Sequence, residues 1–185
     1  MRILLPTSPR IFRRFCKLFT FPINFLWRKF SPEGYANHIG VNIAKDVRIY
    51  GNVSWGTEPW IITIGDGCHI TNDVTFVTHD GATLLFRDHT PDLEITAPIK
   101  LGKRVYIGTR AMIMPGVEIG DDCIIAAGAI VTRDIPSGSV AAGIPAKVIK
   151  TTQEYYEKAQ RNSLHLGHLT YKSKDRALRE HFGRL

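Results

Sequence analysis

The sequence predicts an all-β solenoid of short strands separated by tight corners, and three observations carry that prediction. From Leu101 an aliphatic residue recurs every six positions, through Ile107, Ile113, Ile119 and Ile125 to Val131. Four residues after each stands a small or β-branched one: Val105, Ala111, Val117, Cys123, Ala129 and Ile135. Glycine follows the aliphatic residue at Gly102, Gly108 and Gly120. A helix needs spacing near about 3.6, and an ordinary strand needs strict alternation. A period of six fits neither and implies stacked coils.

The earlier elements keep the same pattern. Ile64, Ile70 and Phe76 lead hexads with Cys68 and Val74 in the small positions, and Ile43 and Ile49 lead hexads with Val47 and Val53. The phase breaks between Ile49 and Ile64 and again between Phe76 and Leu101. Insertions into a solenoid leave the coil as loops, so loops are expected near 54–61 and over 79–98. Cys68 and Cys123 fall on small, inward positions, where a thiol fills the core. Together with Cys16 they make neither a zinc-finger spacing nor a disulfide framework, which points to a reduced, cytoplasmic chain.

Three segments follow. Residues 1–36 form a basic arm, with an amphipathic helix expected over 8–20. Residues 37–150 are the solenoid. Residues 151–185 are a helix and a basic tail. Residues 151–162 read as a helix with a threonine N-cap and Glu154 in a capping box. That helix is expected to cover the last coil, whose strand edge would otherwise be unpaired. A further short helix is expected near 174–182.

The chain has 185 residues, 44% hydrophobic and 22% charged, which excludes a disordered protein. No window has the roughly 20 apolar residues of a membrane span. The net charge of +7 invites a nucleic-acid partner, but its distribution argues otherwise. Residues 1–30 hold seven basic side chains and no acid, whereas 31–149 hold 9 basic and 13 acidic ones. The body is mildly acidic and carries no recognition motif, so nucleic acid is excluded as a partner. Arg13, Arg14 and Lys17 interrupt any signal-peptide core, so the N-terminus is expected to be retained.

Residues 107–150, IGTRAMIMPGVEIGDDCIIAAGAIVTRDIPSGSVAAGIPAKVIK, resemble the C-terminal signature of the hexapeptide-repeat acyltransferases. These include galactoside, maltose, serine and xenobiotic acetyltransferases and the O-acetyltransferases of bacterial surface polysaccharides. The resemblance covers about residues 37–150. It implies a left-handed parallel β-helix, a homotrimer and acetyl-CoA as the donor, with no metal. The hand comes from the resemblance alone, because crossover physics favours the right hand.

Acetyl transfer to a hydroxyl needs a base, since an alcohol is a poor nucleophile at neutral pH. His79 stands where the coil ends and the long loop begins. Members of the family similar to this chain place their catalytic histidine there, facing the neighbouring subunit. A rigid coil beneath a loop also suits a positioned base. His89, inside the loop, is the competitor. His38, His69, His165, His168 and His181 read as structural or solvated. The group that orients His79 stays open among Asp80, Asp88, Asp92, Glu94 and a backbone carbonyl.

The resemblance puts Thr109, where the family often has serine, near the pantetheine or thioester. It puts Ala127 and Gly128 along the pantetheine arm, Thr132 and Arg133 towards the nucleotide, and Lys147 and Lys150 near the phosphates. The basic cluster of Arg133, Lys147 and Lys150 on an acidic body independently suits a polyanionic tail. Pro115, Gly116 and Pro145 read as corner residues. Trp55 and Trp60 suit either a sugar ring or a cover for the N-terminal coils.

The function expected is acetyl-CoA-dependent O-acetyl transfer to a sugar hydroxyl, in a surface polysaccharide or its lipid-linked precursor. Residues 8–30 alternate aromatic and cationic side chains, which suits peripheral contact with the inner face of the cytoplasmic membrane. Packing as a cap is the alternative for that arm. The competing functions are acetylation of a small molecule, such as a drug or serine, a non-catalytic scaffold, and a zinc enzyme. The last needs His69, His79 and His89 to converge.

Overall fold

The computed structural model describes residues 26–184. Its strands enter three sheets in rotation. Sheet I holds β1 (Asn42–Ile43), β4 (Ile62–Ile64), β7 (Ile99–Leu101) and β10 (Glu118–Ile119). Sheet II holds β2 (Arg48–Ile49), β5 (His69–Ile70), β8 (Tyr106–Ile107), β11 (Ile124–Ile125) and β13 (Ser139–Gly143). Sheet III holds β3 (Val53–Ser54), β6 (Val74–Phe76), β9 (Met112–Ile113) and β12 (Ile130–Val131). All these pairings are parallel. One hexad supplies one face, and three hexads close one coil. Regular coils therefore advance by 18 residues, as in the pairing of Lys100 with Glu118.

The core is the inside of this three-sided coil. Ile107, Ile113, Ile119 and Ile125 are fully buried, as are the intervening Val105, Ala111, Cys123 and Ala129. Burying one such isoleucine contributes about 1.5–3 kcal/mol. The Cys68 and Cys123 thiols are pushed up by burial, and each donates to a carbonyl, Cys68 to Gly102 and Cys123 to Pro136, at 3.1 Å. Glycine follows the aliphatic residue because the next coil lies too close for a side chain. A Cβ on Gly108 would stand 2.4 Å from the Ala127 nitrogen.

The lower end is closed by α1 (Pro32–His38), whose Ala36 is buried and whose Glu33 accepts from the Ile49 amide at 2.7 Å. Pro32 starts this helix, where its missing N–H costs nothing. Residues 26–30 are helical as well. The amphipathic helix expected over 8–20 lies outside the described residues.

The upper end corrects the expectation that a helix covers the last coil. β14 (Ala146–Thr151) folds back antiparallel on β13 and pairs its edge. α2 (Thr152–Asn162) follows with the expected capping box, Thr151 Oγ1 accepting from the Glu154 amide at 3.1 Å, but it buries no residue. The physical reason is that a strand edge needs backbone partners in register, which a helix cannot offer and a strand can. α3 (Tyr171–His181) likewise buries no side chain.

Both phase breaks leave the coil. After β3 the chain makes a 3-10 turn at Pro59–Ile61 before rejoining sheet I. Trp55 stays inside, stacked on Phe76 with ring centroids 5.0 Å apart, while Trp60 is exposed. After β6 the long loop has a zipped neck. His79 bridges Thr96, and the Ala97 amide donates to the Thr78 carbonyl at 3.0 Å. Beyond the neck, Asp80 caps a 3-10 helix over Gly81–Phe86.

Candidate active site

The first insertion lengthens its coil, so Val53 and Ser54 pair with Val74 and Thr75, 21 residues on. The same step carries Glu58 to His79 and Thr57 to Thr78. Glu58 Oε2 lies 3.1 Å from His79 Nδ1. Thr78, fully buried, donates to the same oxygen at 2.5 Å, and Thr57 donates to Oε1 at 2.6 Å. The Thr57 and Thr78 hydroxyls, and then the imidazole, hold the Glu58 carboxyl below the usual carboxylate range. An ionised carboxylate only accepts, so Nδ1 carries the proton in this pair. The second ring nitrogen, Nε2, is then left with its lone pair, as a general base requires.

The side chains of His79 and Glu58 are 37% and 26% exposed, so the pair is reachable by a substrate. It lines a cleft of about 280 Å³ shared with Asp80, Thr83, Leu84 and Arg87. Of the orienting groups weighed from the sequence, none touches His79. Asp80 is occupied with the Ala82 amide, and Glu94 with Arg87 and Thr96. Asp88, Asp92 and His89 are exposed in the loop. Glu58 was legible only through the coil length, since it stands one 21-residue step before His79.

The residues expected to hold the donor fall into two sets. Thr109 turns the corner from sheet II to sheet III, and its hydroxyl donates to Thr71 at 3.3 Å. Ala127 and Gly128 lie on the coil above, where the Gly128 amide donates to the Thr109 carbonyl at 2.8 Å. Lys147 pairs with Ala142 near the top of this corner, whereas Lys150 pairs with Val140 towards the far edge of sheet II. Thr132 and Arg133 follow β12 and so turn the corner from sheet III to sheet I, as His79 does two coils below. One chain therefore presents His79, Thr132 and Arg133 at one edge of sheet III, and Thr109, Ala127 and Gly128 at the other.

His69 is held apart from His79, bonded to the Tyr50 hydroxyl through Nδ1 at 2.7 Å. Among the described residues no three His, Cys, Asp or Glu side chains are grouped to hold a metal ion. A larger cleft of about 440 Å³ lies where Arg104 pairs with Asp122 near Thr152, and none of the expected site residues lines it. No helix among the described residues is long and apolar enough to cross a membrane.

A three-faced parallel coil, with a histidine–glutamate pair at the head of its loop, defines the class of β-solenoid proteins. Residues 98–133 match the family described as bacterial transferase hexapeptide (six repeats). Protein CapG of Staphylococcus aureus is 34% identical over 151 residues, covering 80% of this chain and 88% of CapG. Galactoside O-acetyltransferase of Escherichia coli K12 is 36% identical over 133 residues, 69% of this chain and 64% of that enzyme. A hexapeptide-repeat acetyltransferase from Vibrio cholerae, solved with acetyl-CoA, shares the fold with a TM-score of 0.55. It is 21% identical, over 81% of this chain and 93% of that one. The chain belongs to the hexapeptide-repeat transferase family.

Proposed function

We propose that this protein transfers the acetyl group of acetyl-CoA to a sugar hydroxyl, with His79 as the general base. The observation that carries the reading is the pairing of His79 with an ionised Glu58 beside an open cleft. The relatives support the donor and the acceptor class, being a galactoside O-acetyltransferase and an acetyltransferase solved with acetyl-CoA. In the proposed reaction Nε2 takes the acceptor hydroxyl proton as the oxygen attacks the acetyl carbonyl. The tetrahedral oxyanion collapses, the C–S bond breaks, and the imidazolium returns its proton to the departing thiolate. Thr109, Ala127 and Gly128 are proposed to hold the pantetheine arm, Thr132 and Arg133 the nucleotide end, and Lys147 and Lys150 the phosphates.

This assignment requires a second copy, since its residues lie at both edges of sheet III. A homotrimer with sheet III turned to a threefold axis brings one edge of each copy against the opposite edge of the next. The surfaces support that choice. The outward ladder of sheet III is Ser54, Thr75, Met112 and Ile130, without charge, whereas that of sheet I includes Lys100 and Glu118. The family likeness supports left-handed coils. Residues 37–150 are then the catalytic solenoid. The acceptor is proposed to be a surface polysaccharide or its lipid-linked precursor, handled at the inner face of the cytoplasmic membrane with help from residues 8–30.

The test is His79→Ala, with coenzyme A release followed for acetyl-CoA and a panel of galactosides and other sugars. Loss of the base lowers kcat by roughly 10²–10⁴-fold. A variant with near-full rate overturns the assignment of His79, and a wild-type enzyme inert on every sugar overturns the acceptor class.

A further inference from the structure

We propose that Thr78 is a positioning residue for His79, its buried hydroxyl locking the Glu58 carboxylate against the imidazole. The inference rests on the reading of His79 as the base. Thr78 is fully buried, directly before His79 in the chain, and its hydroxyl donates at 2.5 Å to Oε2. That is the oxygen 3.1 Å from His79 Nδ1. Thr57 supplies the other oxygen with its own donor, and its hydroxyl oxygen also lies 3.1 Å from His79 Nδ1. Each carboxylate oxygen thus has one hydroxyl that fixes its place, and Oε2 keeps a lone pair for the imidazole N–H.

The Thr78 hydroxyl is itself confined. Gly56 runs against it in a left-handed conformation, φ +69°, and a Cβ at that position would come within 2.6 Å of Thr78 Oγ1. The Thr78 backbone is tied to the loop neck through Ala97. Glu58's other donor, Thr57, is exposed, whereas Thr78 is held by the core. Glu58 sits in an insertion, and its side chain is about a quarter exposed. Water competes for its oxygens, so a donor held by the core decides which way the carboxylate faces. This is the arrangement by which an acceptor outside the reacting pair sets the tautomer of a base.

The experiment compares Thr78→Val, Thr78→Ser, Glu58→Gln and the Thr78→Val/Glu58→Gln double variant, with His79→Ala in parallel. Coenzyme A release is measured on the best sugar of the panel, and thermal melting checks folding. Thr78→Val is nearly isosteric and is expected to lower kcat about tenfold while leaving KM for acetyl-CoA within about twofold. Thr78→Ser keeps the hydroxyl and restores most of the rate. In the Glu58→Gln background, Thr78→Val adds no further loss, because Thr78 acts through Glu58. Full rate in Thr78→Val, a serine variant as slow as valine, or losses that multiply in the double variant would each overturn the proposal. If His79→Ala itself retains its rate, the reading of the base fails instead.

Discussion

Replacing Glu58 by glutamine keeps the shape of the side chain and removes the charge that chooses the imidazole tautomer. Glutamine can offer its amide N–H to Nδ1, which then accepts, and the proton moves to Nε2. A base protonated on its working nitrogen cannot take a proton from the acceptor. The pair lies at 3.1 Å with both side chains partly exposed, so water replaces some of what is lost. A hydrogen bond to a charged group contributes about 1.5–3 kcal/mol, and about 1.4 kcal/mol is tenfold in rate. Glu58→Gln should therefore lower kcat by roughly 10- to 150-fold. The assay is thiol release from acetyl-CoA at saturating sugar, with KM for acetyl-CoA and the melting temperature recorded alongside. A kcat within about threefold of wild type in a folded variant would refute the tautomer argument.

Other consequences follow from the coil itself. Ile107 is fully buried, and Ile107→Ala should cost about 2–5 kcal/mol, read as a lowered denaturant midpoint at unchanged slope. Gly108→Ala should destabilise by about 1–3 kcal/mol because its methyl meets the Ala127 backbone, whereas Gly81→Ala, with open space around it, should be nearly neutral. Glu154 is held below the ordinary carboxylate range, first by the Thr151 amide and then by the Thr151 hydroxyl. Its support for α2 is fully present above about pH 5 and is lost as the pH falls below the ordinary glutamate value of about 4.3. Far-UV circular dichroism should show a helical loss on acidification that is already present at neutral pH in Glu154→Ala, which has no acceptor for the Thr151 amide. Changing Arg10, Arg13, Arg14 and Lys17 together to Glu should abolish pelleting with anionic liposomes, and unchanged pelleting would refute membrane contact by the arm.

Much of the architecture was legible because a hexad is a local rule. Each inward aliphatic residue and each corner glycine answers to its own coil, and the same rule exposed both loops as breaks in phase. The capping box at Thr151 and Glu154 was equally local. The closing strand β14 was not legible, because residues 146–151 carry no alternation and acquire their conformation only by pairing with the exposed edge of β13. In the candidate site, His79 was legible from its place at the loop head. Its partner was sought in the loop that follows, where four carboxylates offer themselves, and was found in the coil below.

The sequence alone therefore determined the period, the inward residues, the two insertions and the histidine between coil and loop, since each depends on neighbours a few positions away. Tertiary structure decided which residues stack. A three-residue insertion sets the step between coils, and that step, not proximity in the chain, puts Glu58 against His79 and Thr78. It also divided the expected donor-binding residues between two edges of sheet III, because a coil returns each face only after a full turn.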